Sequence, residues 1–191
     1  DDIRTMLETW REATQRSVDA GFDIIEIHGA HGYLIHQFLS PISNLRNDAY
    51  GGDRAGRMRF ALEVAETVRK IWPAEKPLFF RVSALDGEGG QWSLEDTVAL
   101  SAELKDRGTD VIDCSSGGVY GKSDMPVVPY TAQVRAAFAE RVKRETGIMT
   151  MAVGGITDPL EAEDILQEEK ADLVALAREF LWNADWAAHA A

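Results

Sequence analysis

Cysteine occurs once in the 191 residues, at Cys114. A single thiol closes no internal disulfide and builds no thiolate metal cluster, which fits a reducing, cytoplasmic setting. Cys114 itself ends a β-branched run, where a small buried apolar residue is wanted. Basic residues are also scarce: 20 Lys and Arg stand against 32 Asp and Glu, a formal net charge of −12 with no Lys/Arg cluster. Such a field repels phosphate backbones and anionic lipid, so neither nucleic acid nor a membrane is expected as a partner. No run approaches the ~20 apolar residues needed to cross a bilayer, and no signal-peptide pattern opens the chain. No short repeat, linker or low-complexity tract divides it, so residues 1–191 are expected to form one domain. The opening Asp1-Asp2-Ile3-Arg4 lacks an initiator Met and falls inside a helical pattern, which suggests a longer parent protein.

What is present is an ordinary globular composition, 45% apolar and 27% charged, sufficient for one sizeable core. Five short β-branched runs stand out, at 23–28, 78–84, 110–116, 148–154 and 172–178. Segments of helical period lie between them. Near 58–72, Phe60, Val64, Val68 and Ile71-Trp72 share one face; similar stripes run through Ile3/Leu7/Trp10/Val18, Leu94/Val98/Ser101/Leu104 and Val134/Phe138/Val142. Ser93 with Asp96 resembles a capping box, and Asp158-Pro159 puts a cap before a first-turn proline. Gly21, Gly108 and Gly147 fall just past helix ends. The expected order is α-β-α-β-α-β-α-β-α-β-α, an α/β fold of parallel βαβ units. Helix-to-strand turns are short, whereas the strand-to-helix loops 29–53, 85–92 and 117–130 are long. Long loops that all leave the C-terminal ends of parallel strands mark the active face of a (β/α) barrel or of an open doubly wound sheet. Five strands are too few for a closed barrel, so either the sheet is open or further strands lie outside this chain.

Three of the four histidines, His28, His31 and His36, lie within nine positions at the mouth of the first strand. Alternation places Ile25 and Ile27 on one side and Ile24, Glu26 and His28 on the other. Spacing leaves several readings of His28 and His31 open: buried histidines bonded to backbone; a metal pair that needs Glu26 or Asp113 as a third ligand; or two N–H donors converging on one oxygen, with Tyr33 as a nearby acid. Arg81, inside the apolar strand Leu78-Phe79-Phe80-Arg81-Val82, must find an anion. It either pairs with Glu26 or Asp113 or serves as a fixed positive charge for a ring that becomes anionic. Gly154-Gly155 closes one strand and Ala177-Arg178 the next, an arrangement suited to a phosphate.

The run HGAHGYLIHQFLSPISNLRNDAYGGDRAGRMRF at 28–60, followed in order by FRVSA (80–84), DVIDCSSGG (110–118), AVGGIT (152–157) and DLVALAR (172–178), resembles the old yellow enzyme family. These are FMN-dependent ene-reductases (NADH:flavin oxidoreductases), and the closest likeness is to the bacterial thermophilic-type subgroup. The resemblance implies a (β/α)₈ TIM barrel of which about five C-terminal β/α units, strands 4–8, are present. It implies that His28 and His31 bind the substrate carbonyl and that Tyr33 is the proton donor. It assigns Arg81 to the flavin N1/O2 edge, Ser115 to a minor flavin contact, and Gly154, Gly155, Ala177 and Arg178 to the phosphate. The implied cycle is ping-pong: NADPH or NADH reduces FMN, and an enone-type small molecule then takes a hydride at its β-carbon and a proton at its α-carbon. A homo-oligomer is the implied assembly. The sequence departs from the family pattern at Asp53-Arg54-Ala55-Gly56-Arg57, where Ser-x-Glu-Asn-Arg is common, and at Ala177, which replaces a frequent glycine and keeps its backbone donor only with a negative φ. Alternatives are the barrel portion of a multidomain flavoprotein, such as a dienoyl-CoA reductase or amine dehydrogenase, and an inactive half-barrel that self-associates.

Overall fold

The computed structural model describes residues 2–121 and 129–191. It forms five parallel strands: β1 (Ile25–Gly29), β2 (Leu78–Ser83), β3 (Val111–Ser115), β4 (Met149–Val153) and β5 (Leu173–Ala175). They lie side by side in chain order in one sheet. The connecting helices are α1 (Asp2–Asp19), α2 (Leu34–Leu39), α3 (Arg54–Arg69), α4 (Leu94–Asp106), α5 (Ala132–Thr146), α6 (Pro159–Gln167), α7 (Arg178–Trp182) and α8 (Trp186–Ala190). The α/β alternation expected from the sequence is present, with two additions. The loop 29–53 contains the short α2, and α8 follows α7. Part of the loop 117–130 lies outside the described residues.

The period of two decides which side of each strand is buried. Ile27, Phe80, Val82, Ile112, Cys114 and Ala152 turn toward the helices and are buried. They meet Phe60, Val64 and Val68 of α3, Leu100 and Leu104 of α4, and Ala136, Ala139 and Val142 of α5 in one core. Burying a side chain of this size contributes about 1.5–3 kcal/mol. Cys114 lies wholly inside this core, and burial pushes its thiol pKa up, as an unreactive structural cysteine requires.

Register then builds rows across the other face. His28 pairs with Arg81, Arg81 with Asp113, Asp113 with Met151, and Met151 with Leu173. Ser83 pairs with Ser115 one layer nearer the strands' C-terminal ends. This face carries the titratable groups.

Local signals set the helix ends. Ser93 and Asp96 make the reciprocal capping box. Asp158 accepts from Leu160 N–H at 2.9 Å, with Pro159 opening the helix. Gly147 ends α5 in the left-handed conformation at φ 64°. At the departure from the family pattern, Asp53 caps α3 by accepting from Gly56 N–H at 2.8 Å, so the altered sequence still starts a helix. The expected stripe on α5 is present, with Phe138 and Val142 buried and Val134 packed against the core, but the helix buries more besides. Its buried residues are Ala132, Arg135, Ala136, Phe138, Ala139 and Val142, so an arginine lies on the core-facing side.

Phe80→Ala removes a wholly buried ring from the centre of this core. It is expected to cost about 3–5 kcal/mol in urea denaturation, and a loss below about 1 kcal/mol would contradict the packing described.

Candidate active site

The turn that leaves β1 organises the C-terminal edge of the sheet. His31 stands at φ 59° and Gly32 at φ 78°, two successive left-handed residues. Gly32 passes so close to the neighbouring β3–α5 loop that a Cβ there would lie 2.4 Å from the Gly118 carbonyl oxygen; no side chain fits. A left-handed histidine persists only where its surroundings over-determine it. Here His31 N–H donates to Ser83 Oγ at 3.0 Å, and Ser83 Oγ donates to Gly117 O at 2.7 Å. Gly32 N–H donates to His36 Nδ1 at 2.9 Å.

That turn gathers three rings. His28 lies 5.3 Å from His31 and 5.5 Å from Tyr33, centroid to centroid. Tyr33 occupies the N-cap of α2 without capping it, so its ring remains free of the helix and is 65% exposed. His31 Nε2 is 2.6 Å from Ser115 Oγ, which ties the histidine pair to the end of β3. Among the described residues, no three His, Cys, Asp or Glu gather as a metal site would require. Glu26 and Asp113, the third ligands that a metal reading would have used, interact with Arg81 instead.

Charge sets the protonation states. Burial lowers the pKa of His31 to about 4, assisted by Arg81, His28, His36 and Arg135. Burial and then Arg81 and His36 lower that of His28. Both rings are therefore neutral at neutral pH and offer one N–H each. Arg81 Nη1 pairs with Asp113 Oδ2 at 3.0 Å, while its Nε is buried without a partner. Asp113 is fully buried. Burial pushes its carboxyl up to about 7; Arg81 acts against this and Glu26 adds to it. Burial also raises Glu26, opposed by the charge of Arg81. The pairing and the fixed-charge readings of Arg81 are thus compatible, because Asp113 lies within ion-pair distance while neither of its oxygens completes a hydrogen bond with the guanidinium.

At the far end of the sheet, a cavity of 380 Å³ is lined by Arg81, Tyr130, Gly154, Gly155, Ala177 and Arg178, among others. Ala177 has φ −126°, which satisfies the condition for keeping its backbone donor usable. Two further residues enter here that the sequence reading did not single out. Tyr130 lies between two guanidinium groups, 4.6 Å from that of Arg135 and 5.3 Å from that of Arg178. Arg178 Nη2 donates to the Tyr130 hydroxyl at 2.6 Å. Arg135 is 8% exposed, bonds Ser116 Oγ and leaves its Nε without a partner. The signal for Arg135 was available: a cation at the i+3 position of an otherwise apolar stripe. For Tyr130 and Ser83 no one-dimensional signal existed.

The sequence pattern of the NADH:flavin oxidoreductase / NADH oxidase family matches residues 1–191. An NADPH dehydrogenase of Geobacillus sp. (strain WCH70) is 46% identical over 189 residues, which are 97% of this chain and 53% of that protein. The fold of morphinone reductase in complex with tetrahydroNAD superposes with a TM-score of 0.76 at 26% identity, over 100% of this chain and 50% of that one. Histamine dehydrogenase from Rhizobium sp. 4-9 superposes with a TM-score of 0.81 at 25% identity, over 98% of this chain and 27% of that one. The chain thus spans about half the length of the NADPH dehydrogenase relatives it matches. The (β/α)₈ barrel class is shared with these old yellow enzymes, and the five parallel strands are a part of such a barrel.

An unfolded histidine binds its proton near 6.5 and folded His31 near 4, so between these values the unfolded state holds more protons. His31 therefore withdraws stability as the pH falls from about 6.5 to about 4. A ring-proton NMR titration is expected to place its midpoint near the lower value and to move it upward in Arg81→Met. A midpoint unchanged by that substitution would exclude Arg81 as a cause.

Proposed function

This chain belongs to the NADH:flavin oxidoreductase / NADH oxidase family, and on that premise we propose that residues 1–191 form one partial-barrel domain of an FMN-dependent oxidoreductase. The enzyme takes its electrons from NADPH or NADH and reduces the C=C bond of small α,β-unsaturated carbonyl compounds. One observation carries this reading: the His28/His31/Tyr33 ring cluster, Arg81 and the cavity bounded by Gly154, Gly155 and Arg178 share the C-terminal edge of one parallel sheet. Ligands of parallel α/β folds bind at that edge.

The residues present fit FMN. The cavity is of cofactor-fragment size and holds Arg178, and the backbone at Gly154 and Gly155 is left-handed at φ 106° and 78°. Gly154, Gly155, Ala177 and Arg178 would hold the phosphate, Arg81, which lines the same cavity, would present its guanidinium charge to the ring edge, and Ser115 would add a hydroxyl contact. When bound, FMN supplies the hydride chemistry. His28 and His31, kept neutral, each direct one N–H at the substrate carbonyl, where negative charge develops. Tyr33, unencumbered at its N-cap, holds the proton that is delivered to the α-carbon. A homo-oligomeric assembly accompanies this reading.

A second reading, the barrel portion of a multidomain flavoprotein, draws on the likeness to histamine dehydrogenase, of which this chain covers only 27%. The subunit mass of the complete protein separates the two, because this chain covers 27% of histamine dehydrogenase but 53% of the Geobacillus NADPH dehydrogenase.

In the FMN-loaded protein, Tyr33→Phe is expected to slow enone reduction by about 10²-fold, while NADPH still bleaches the flavin absorbance. Enone turnover at the parent rate would remove Tyr33 as the acid.

A further inference from the structure

His36 and Asp86 form a pair whose side chains are both wholly inaccessible, so neither can touch a substrate. Asp86 accepts from four donors. His36 Nε2 meets its Oδ1 at 2.8 Å; Ser40 Oγ at 2.7 Å and the backbone N–H groups of Gln91 and Trp92, each at 2.9 Å, meet its Oδ2. Burial raises this carboxyl, but the bonds from His36, Ser40, Gln91 and Trp92 outweigh it and hold the pKa below the usual carboxylate value. Asp86 is therefore an ionised acceptor, and the nitrogen that faces it must carry the hydrogen. On the other side of the ring, Gly32 N–H can only donate, so Nδ1 must present its lone pair. Two independent contacts thus require the same Nε2–H tautomer.

The consequence lies in the turn. The amides of His31 and Gly32 are consecutive, and each is tied to a different buried acceptor, Ser83 Oγ and His36 Nδ1. Fixing both peptide planes around His31 fixes the direction in which its ring leaves the backbone, and with it the placement of Tyr33 one residue beyond Gly32. If Nδ1 bore a proton, it would face the Gly32 N–H donor to donor and the left-handed turn would lose its support.

We propose that His36, oriented by Asp86, is a positioning residue for the reaction: its Nδ1 lone pair sets the His31-Gly32-Tyr33 backbone and so aims the carbonyl-binding ring and the proton donor. The assignment rests on the function proposed above for His31 and Tyr33. It makes two residues outside the reacting face, one of them fifty positions along the chain, part of what aligns the acid.

The test has two arms. Long-range ¹H–¹⁵N NMR of the unsubstituted protein at neutral pH is expected to show His36 as the Nε2–H tautomer. An Nδ1–H or doubly protonated ring overturns the proposal, and this arm requires no variant to fold. In the second arm, His36→Gln retains a donor that can reach Asp86 but withdraws the acceptor from Gly32, whereas His36→Asn keeps an acceptor near the Nδ1 position and gives up Asp86. His36→Gln is expected to shift the His31 ring resonances and to lower enone reduction by about 10²-fold, with His36→Asn recovering most of both. If the two variants lose activity equally and in step with their thermal midpoints, His36 is only structural and the proposal fails. A parent protein that reduces no enone would count against the proposed function, while the tautomer and the His31 resonances would still decide the positioning role.

Discussion

The two-residue period of the parallel strands is the constraint on which the other features rest. One face of each strand must meet the helices, and Ile27, Phe80, Val82, Ile112 and Cys114 occupy it because only apolar groups can be buried there without partners. The charged residues Glu26, Arg81 and Asp113 are thereby forced to the opposite face, while Thr150 is the polar side chain that β4 admits on the core side. Parallel register then makes neighbours of residues far apart in the chain: His28 beside Arg81, and Arg81 beside Asp113. The candidate site follows from building the core.

Arg81 is the electrostatic centre of that second face. Its charge adds to the burial that lowers the proton affinity of His28 and His31, and opposes the burial that raises Glu26 and Asp113. A guanidinium suits this position because it remains charged where a lysine could lose its proton, and because its nitrogens can serve different partners. The pairing with Asp113 secures the side chain against the sheet. The side chain is a quarter exposed, so its charge still faces the cavity at the strands' C-terminal ends.

Much of the fold was legible from local chemistry. The Ser93/Asp96 capping box, the Asp158-Pro159 start, the glycine stops and the first four strand runs depend on contacts within a few residues and have the form that the sequence suggested. The run 172–178 does not, because its strand ends at Ala175, Ala177 is the N-cap of α7 and Arg178 its first residue. Less legible were features whose cause is remote. The six-residue α2 has too few positions to show a period. The stripe Val134/Phe138/Val142 on α5 does lie in or against the core, but the buried Arg135 beside it was not anticipated. A composition-based reading expects a cation outside, and the acceptor and aromatic ring that admit it, Ser116 and Tyr130, lie in other segments.

The candidate site divides in the same way. The chain itself determined which residue types stand at the strand ends: the paired histidines, Tyr33, Arg81, the glycine pair and Arg178 are all visible in one dimension, because strand alternation and loop length place them on the C-terminal edge. Their working state was decided only by tertiary structure. Ser83 and His36 hold the left-handed turn, Asp86 faces the Nε2 of His36, and burial, assisted by Arg81, keeps His31 neutral. Orientation and protonation depend on distance and dielectric between segments separated by dozens of residues, and those quantities come into being only when the five strands are set side by side.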